Sequence, residues 1–312
     1  MFMKQNYEFG VTTNVQRNVN KVAYCNSFRL LQNEYYVPNT GCAIDRSNKL
    51  AILKSYNEFL ERFRLGIGGF DRNNIYITYG NNYDYGVIDT TGTASGKISR
   101  NLIYKSSTEL IEKNEIFLFW YTKSPFFIVE QNNETKSLIE SLNFIAESHM
   151  IFCLRNISNV YTILSLSFKE DMLTGCGVAA DLDFNIALKK SILENKLIEW
   201  QNYKNPNSDF YLNAKNKKVE IINFLNSKVK QNNRILLNKK REKENEIIFE
   251  SWISNLEIVF LGKNISDNIK TIKMVYKDLL NCLPSNKNIQ LSRKQTIIKS
   301  FNIINKLDCI IV

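Results

Sequence analysis

The sequence predicts an α/β (α+β) protein: a mixed sheet packed with helices, followed by a helical C-terminal part. Three observations lead there. Apolar residues make up 44% of the 312 and aromatics 12%, the composition of a chain with a full core rather than of a disordered one. Short β-rich runs fill the middle of the chain, and an amphipathic segment with helical spacing stands on either side of them. The four prolines are too few to mark a linker, so residues 1–312 read as a single domain.

The residues up to about Tyr36 are mixed and weakly patterned. Asn39-Thr40-Gly41-Cys42-Ala43 reads as a Gly-bearing turn, and behind it Ser47 to Phe63 has the spacing of a helix. The stretch from Gly66 to Gly86 is rich in turn residues. Ile75–Tyr79, Ile116–Tyr121, Phe126–Val129, Met150–Leu154 and Val160–Phe168 read as strands, with a helical spacing of Leu138, Leu142 and Ile145 inside Glu134–Ser148. A second Gly-bearing turn, Thr174–Ala180, introduces a second helix from Asp183 to Glu194. From Phe184 onward helices are expected to dominate, up to an apolar tail, Cys309–Val312.

Composition excludes several classes. No run approaches ~18 apolar residues, so no membrane span is expected. Met1-Phe2-Met3-Lys4-Gln5-Asn6 has no apolar signal core. The six cysteines are scattered without a CxxC pair, which suits a reduced, cytoplasmic protein lacking a structural zinc site. His149 is the single histidine, so multi-histidine metal chemistry is excluded and His149 reads as structural. The net charge of +10 is concentrated around Lys215–Lys218 and Lys239–Lys243. Such clusters can follow phosphates or simply form a solvated helical face. With Phe224 the one aromatic between them, the solvated face is preferred and a nucleic-acid partner disfavoured.

On the first helix, at about 100° per residue, Ile52, Tyr56, Phe59 and Phe63 form an apolar arc that Leu53 and Leu60 widen. Lys54, Glu58 and Glu61 share the opposite face, flanked by Arg62. Two carboxylates three residues apart suit a hard cation such as Mg²⁺, and Lys54 and Arg62 suit phosphates. A solvated face joined by a Lys54–Glu58 pair is the competing reading. On the second helix, Glu194 projects between two apolar stripes, Ile186/Leu193/Leu197/Trp200 and Ala187/Ser191/Ile198. A carboxylate there requires a metal, or an Arg or backbone amide in the core. A shared ion site on the two helices is therefore worth testing. Cys42 and Cys176, both beside glycines, read as small buried apolar residues.

The run Asn39-Thr40-Gly41-Cys42-Ala43, then Ala51 and Glu58-Phe59-Leu60-Glu61-Arg62, resembles the "sNGxAxG…A…ExxER" block of YcaO-domain proteins. Gly175 to Asp183, then Ile186-Ala187-Leu188 and Ser191-Ile192-Leu193-Glu194, resembles that family's "GxGAxxDPxxALxRALxE" block, and Asn156-Ile157-Ser158 stands where the family has "dIT". The resemblance covers roughly residues 35 to 201; residues 202–312 are mostly helical and basic. It implies ATP- and Mg²⁺-dependent phosphorylation of a precursor-peptide backbone amide, leading to azoline or thioamide products in a bacteriocin-like pathway. It also implies metal binding by Glu58, Glu61 and Glu194, and a nucleotide site including Lys54, Ser55, Arg62 and Ser191. A separate leader-peptide-binding partner would deliver the precursor, and a homodimer is the implied assembly.

The chain departs from the family pattern at several places. Lys54 replaces a small residue, with Ser55 one place off, and Phe184 replaces a proline. Leu197 stands for an oxygen ligand and Glu199 for an arginine, and the Pro-rich C-terminus is missing. Losing one charge-assisted bond to phosphate costs about 1.5–3 kcal/mol, roughly one to two decades of affinity. Three readings follow: a divergent YcaO enzyme, a catalytically degenerate docking subunit of a peptide-modifying complex, and a basic nucleic-acid-binding protein.

Overall fold

The computed structural model describes residues 7–10, 24–30, 40–45, 47–231, 235–236, 246–254, 256–264 and 268–311. The chain opens with β1 (Tyr7–Gly10), β2 (Tyr24–Leu30) and β3 (Thr40–Asp45), an antiparallel sheet in that order. The first expected Gly-bearing turn is thus a strand. Gly41 is glycine for a different reason: a Cβ there would stand 2.1 Å from Ser55 O and 2.5 Å from Phe59 N. It lets the following helix lie directly on the strand. That helix, α1 (Asn48–Ile67), begins at Ser47, whose Oγ accepts the Leu50 N–H (3.4 Å), and ends at Gly68 with φ of 81°.

Two short hairpins occupy the turn-rich stretch, β4 (Gly69–Phe70) with β5 (Tyr76–Ile77) and β6 (Gly80–Asn82) with β7 (Gly86–Ile88). After β8 (Thr93–Gly96) comes α2 (Ser99–Tyr121). Its last six residues, Ile116–Tyr121, were expected as a strand. All six are buried. A run covered on every side shows no polar face, so its period is hidden and helix and strand look alike in sequence.

Next come β9 (Phe127–Val129), α3 (Asn133–Ser141), β10 (Ser148–Leu154), β11 (Tyr161–Lys169) and β12 (Met172–Asp181), then α4 (Phe184–Lys204), α5 (Asp209–Asn216), α6 (Lys218–Gln231) and β13 (Ile235–Leu236). The sheet order is β12-β11-β10-β9-β13, antiparallel except for the parallel β9–β13 pair, which makes it mixed. The second expected turn, Thr174–Ala180, lies within β12. Gly177 repeats the role of Gly41, since a Cβ on it would meet Ser191 O at 2.0 Å and Asn195 N at 2.3 Å. Asp183 caps α4 by accepting the N–H groups of Asn185 and Ile186.

After the helices α4 to α6, strands return: β14 (Leu256–Lys263) and β15 (Lys270–Tyr276) join β8 in the order β14-β15-β8. Two short helices follow, α7 (Asn286–Leu291) and α8 (Thr296–Ser300), and Cys309, Ile310 and Ile311 of the apolar tail are buried. The basic cluster Lys239–Lys243 lies outside the described residues.

The described residues form two compact units. The first takes those within Met1–Lys113, Trp252–Leu283 and Lys287–Ser300, the second those within Asn114–Ser251, Pro284–Asn286 and Phe301–Val312. One core of the first gathers Leu65, Ile77, Tyr85, Ile88, Val259 and Val275; one core of the second gathers Ile151, Cys153, Ile163, Phe184, Leu188 and Ile192. Each unit contains the same module of three antiparallel strands and a helix, β1-β2-β3-α1 in the first and β10-β11-β12-α4 in the second. Their key residues repeat at equal spacing. Gly41, Ser47, Ala51, Ser55 and Glu58 are spaced as Gly177, Asp183, Ala187, Ser191 and Glu194.

Candidate functional site

In the first unit, α1 carries the carboxylates. Glu58 Oε1 pairs with Arg62 Nη2 at 2.6 Å, one turn on, with both side chains partly exposed. Glu61 does not share a solvent face with it. Only 6% exposed, Glu61 accepts the Ser95 N–H from β8 at 2.8 Å and the Nζ of the half-exposed Lys105 on α2 at 2.6 Å. The helical-wheel expectation fails because α1 is covered by β3 on one side and by β8 and β15 on another. Leu53, expected in the apolar face, is 43% exposed, whereas Ser55 is fully buried. Lys54 is exposed.

Helix α2 adds a carboxylate that the sequence reading did not single out. Burial, and then the neighbouring Glu61 carboxylate, push Glu109 well above the ordinary carboxylate range, against the pull of Lys105 and Lys113. Asn57 Oδ1, one turn before Glu61, is shielded from solvent and accepts no hydrogen bond among the described residues. The signal available for Glu109 was its spacing from Lys105 on one helix, but that segment shows no clear period.

In the second unit, Glu194 Oε2 accepts the Val178 N–H of β12 at 3.2 Å, so a backbone amide meets this carboxylate. One turn earlier, Lys190 pairs with Asp181 at 2.8 Å. Ser55 and Ser191 are both fully buried, their Oγ atoms donating to Ile52 O and Leu188 O. Each stands at the seam where a glycine of the strand meets the helix, a position that demands a small side chain.

The two departures on α4 turn inward. Leu197 is buried, and Glu199, 2% exposed, accepts the N–H groups of Ile145 and Ala146 and pairs with Lys196 Nζ at 2.7 Å. The charge of Glu199, which stands where the family has an arginine, is compensated within its own unit.

His149 packs edge-on against Phe144 with ring centroids 4.6 Å apart, and burial lowers its pKa, as suits a structural residue. Cys176 is buried; the side chain of Cys42 lies outside the described residues. Phe224 packs against Trp120, with centroids 4.7 Å apart, instead of offering a free stacking face. Among the described residues, no group of three or more His, Cys, Asp or Glu stands close enough to hold a metal ion by itself, and no helix is long and apolar enough to cross a membrane.

No protein-family model matches the chain, and no curated protein matches it in sequence. Solved structures do match. YcaO from Methanopyrus kandleri bound with AMPPCP and Mg²⁺ superposes with a TM-score of 0.63 at 12% identity, covering 86% of this chain and 88% of that one. A chain of the E. coli microcin synthetase McbBCD complex gives 0.58 at 11% identity, over 96% and 99%. A heterocyclase in complex with substrate and cofactor gives 0.52 at 12% identity, over 76% of this chain and 36% of that one. The chain has a YcaO-like α+β fold.

Proposed function

We propose that this protein acts in the biosynthesis of a ribosomally made, modified peptide, phosphorylating a backbone amide of a precursor peptide with ATP and Mg²⁺ on the way to an azoline or thioamide. One observation carries the reading: Glu58 and Glu194 hold equivalent places in the two modules of a YcaO-like fold, each beside a glycine strand. The similarity to YcaO bound with AMPPCP and Mg²⁺ supports the choice of cofactors.

The donor set fits. Glu58, Glu61 and Glu194 offer the carboxylate oxygens that a hard cation takes, with Asn57 Oδ1 a further oxygen on α1. Lys54 and Arg62 are the cations for phosphates. Bound Mg-ATP would supply the phosphoryl group that turns the amide oxygen into a leaving group. Lys105 and the Ser95 N–H fix the rotamer of Glu61, while Ser55 and Ser191 keep each helix on its strand. The precursor peptide, a separate leader-binding protein, a homodimeric assembly and a cytoplasmic location belong to the same proposal.

Calorimetry of ATP binding with and without Mg²⁺ tests it. We expect Mg²⁺-dependent binding that Glu58→Gln and Glu194→Gln each weaken by about tenfold or more, a loss of ~1.4 kcal/mol, without lowering the melting temperature. Magnesium-independent binding, or two variants that bind like wild type, overturns it. A second reading, a docking subunit without nucleotide chemistry, draws on the inward engagement of Leu197 and Glu199, where the resemblance implies a ligand oxygen and an arginine. It predicts no ATP binding up to about millimolar concentration.

A further inference from the structure

The second unit contains a cavity of about 490 Å³ that the proposed chemistry leaves unused. It lies among the residues after α2 (Lys123–Phe126), α6 and the Ile304–Asn305 segment; no residue of α4 or β12 lines it. Its volume is that of a small-molecule site. Lys228 of α6 lines it, 6% exposed, with Nζ 2.6 Å from Thr122 O and over the ring faces of Phe119 (5.3 Å) and Phe224 (5.5 Å).

An ammonium has three N–H donors, and here one neutral carbonyl meets it; among the described residues no carboxylate pairs with it. Buried cations are normally paired, because desolvation without a counter-charge is costly. Desolvation pushes Lys228 down to about 8, so it still carries its charge at neutral pH. Among the described residues, the other charged side chain lining the cavity is the exposed Lys123, of the same sign, so the field they set inside favours an anion. Phe126, Phe224 and Ile304 supply apolar walls. One buried ammonium matches a single negative charge, whereas a phosphate dianion calls for several donors.

We infer that this cavity binds a monocarboxylate with an apolar or aromatic body, its carboxylate paired with Lys228. The inference goes beyond the amide-activating reading and uses other residues, so either can fail alone.

The test is titration of the purified chain with 1-naphthoate, neutral 1-naphthamide and inorganic phosphate. Naphthoate is expected to bind at least about tenfold more tightly than the amide, with phosphate unable to displace it. Lys228→Met should abolish that preference. In the wild type the preference should fade as the pH rises from 7 through the Lys228 value of about 8, a readout that needs no variant and survives a failure of Lys228→Met to fold. Equal affinities for acid and amide, displacement by phosphate, or a preference that persists above about pH 9 overturns the inference.

Discussion

The two β-β-β-α modules share a glycine, a capping residue, a buried serine and a glutamate, yet the helices around them are built differently. On α1 the residue after Glu58 is Phe59, which stacks with Tyr56 and Phe63 at centroid distances of 6.5 and 6.0 Å; carboxylates and cations gather on its other sides. On α4 the matching residue is Asn195, tied to Ser167 Oγ at 2.8 Å, with Asn202 Nδ2 on Thr174 O and the Lys196–Glu199 pair beyond. One seam thus supports two kinds of surroundings. On α1 the Glu58–Arg62 pair is partly open to solvent, while on α4 Asn195, Asn202 and the Lys196–Glu199 pair are buried and bonded into the unit.

The largest effect should come from the shared seam. Gly177→Ala and Gly41→Ala each put a Cβ within about 2 Å of a helix carbonyl, backbone against backbone, so the helix must move. Each should cost at least ~3 kcal/mol in urea unfolding. If either stays within ~0.5 kcal/mol of wild type, the two seams are not equivalent and the comparison breaks. Next in size is the contrast between ion pairs. Glu199→Gln strips the charge partner from a Lys196 that is 3% exposed at its side chain, and should destabilise by about 3–5 kcal/mol. Glu58→Gln, losing a partly exposed pair, should change stability by less than ~1 kcal/mol. Equal losses would erase the distinction between the two helices.

The smallest effect concerns Glu109. Its folded pKa is pushed up to about 8 from 4.5, so the folded state holds the proton more tightly than the unfolded one. The resulting stabilisation is complete below about pH 4.5 and is lost as the pH rises toward about 8. Glu109→Gln removes that loss, and should raise Tm by about 2–4 °C at pH 8 with little change at pH 4.5. A Tm that falls at both pH values would mean that Glu109 is ionised and needed by Lys105.

Much of this was legible in the residues. The helices beginning at Ser47 and Asp183 and the strands at Met150–Leu154 and Val160–Phe168 follow from local preferences and periodicity, whereas the order of the two glutamate blocks was read from the family resemblance. Ile116–Tyr121 was not legible as helix, because complete burial removes the polar side that reveals a period. The Gly-bearing segments passed for turns, since a glycine required by a close neighbour looks in sequence like one required by a dihedral angle.

The sequence by itself determined the α+β class, the two helices and the residue types available for a cation and phosphates, because these depend on composition and short-range spacing. Tertiary structure alone decided that Glu61 is held by Ser95 and Lys105, that Glu109 joins it, that Glu199 turns inward to Lys196, and that Lys228 sits in a cavity to which the described residues bring no carboxylate. Ser95 and Lys105 are distant along the chain from Glu61, and Ile145 and Ala146 from Glu199; Lys196 is only three residues from Glu199, but the burial of that pair is set by packing. Side-chain spacing fixes which face a residue occupies, but what covers that face is set by packing.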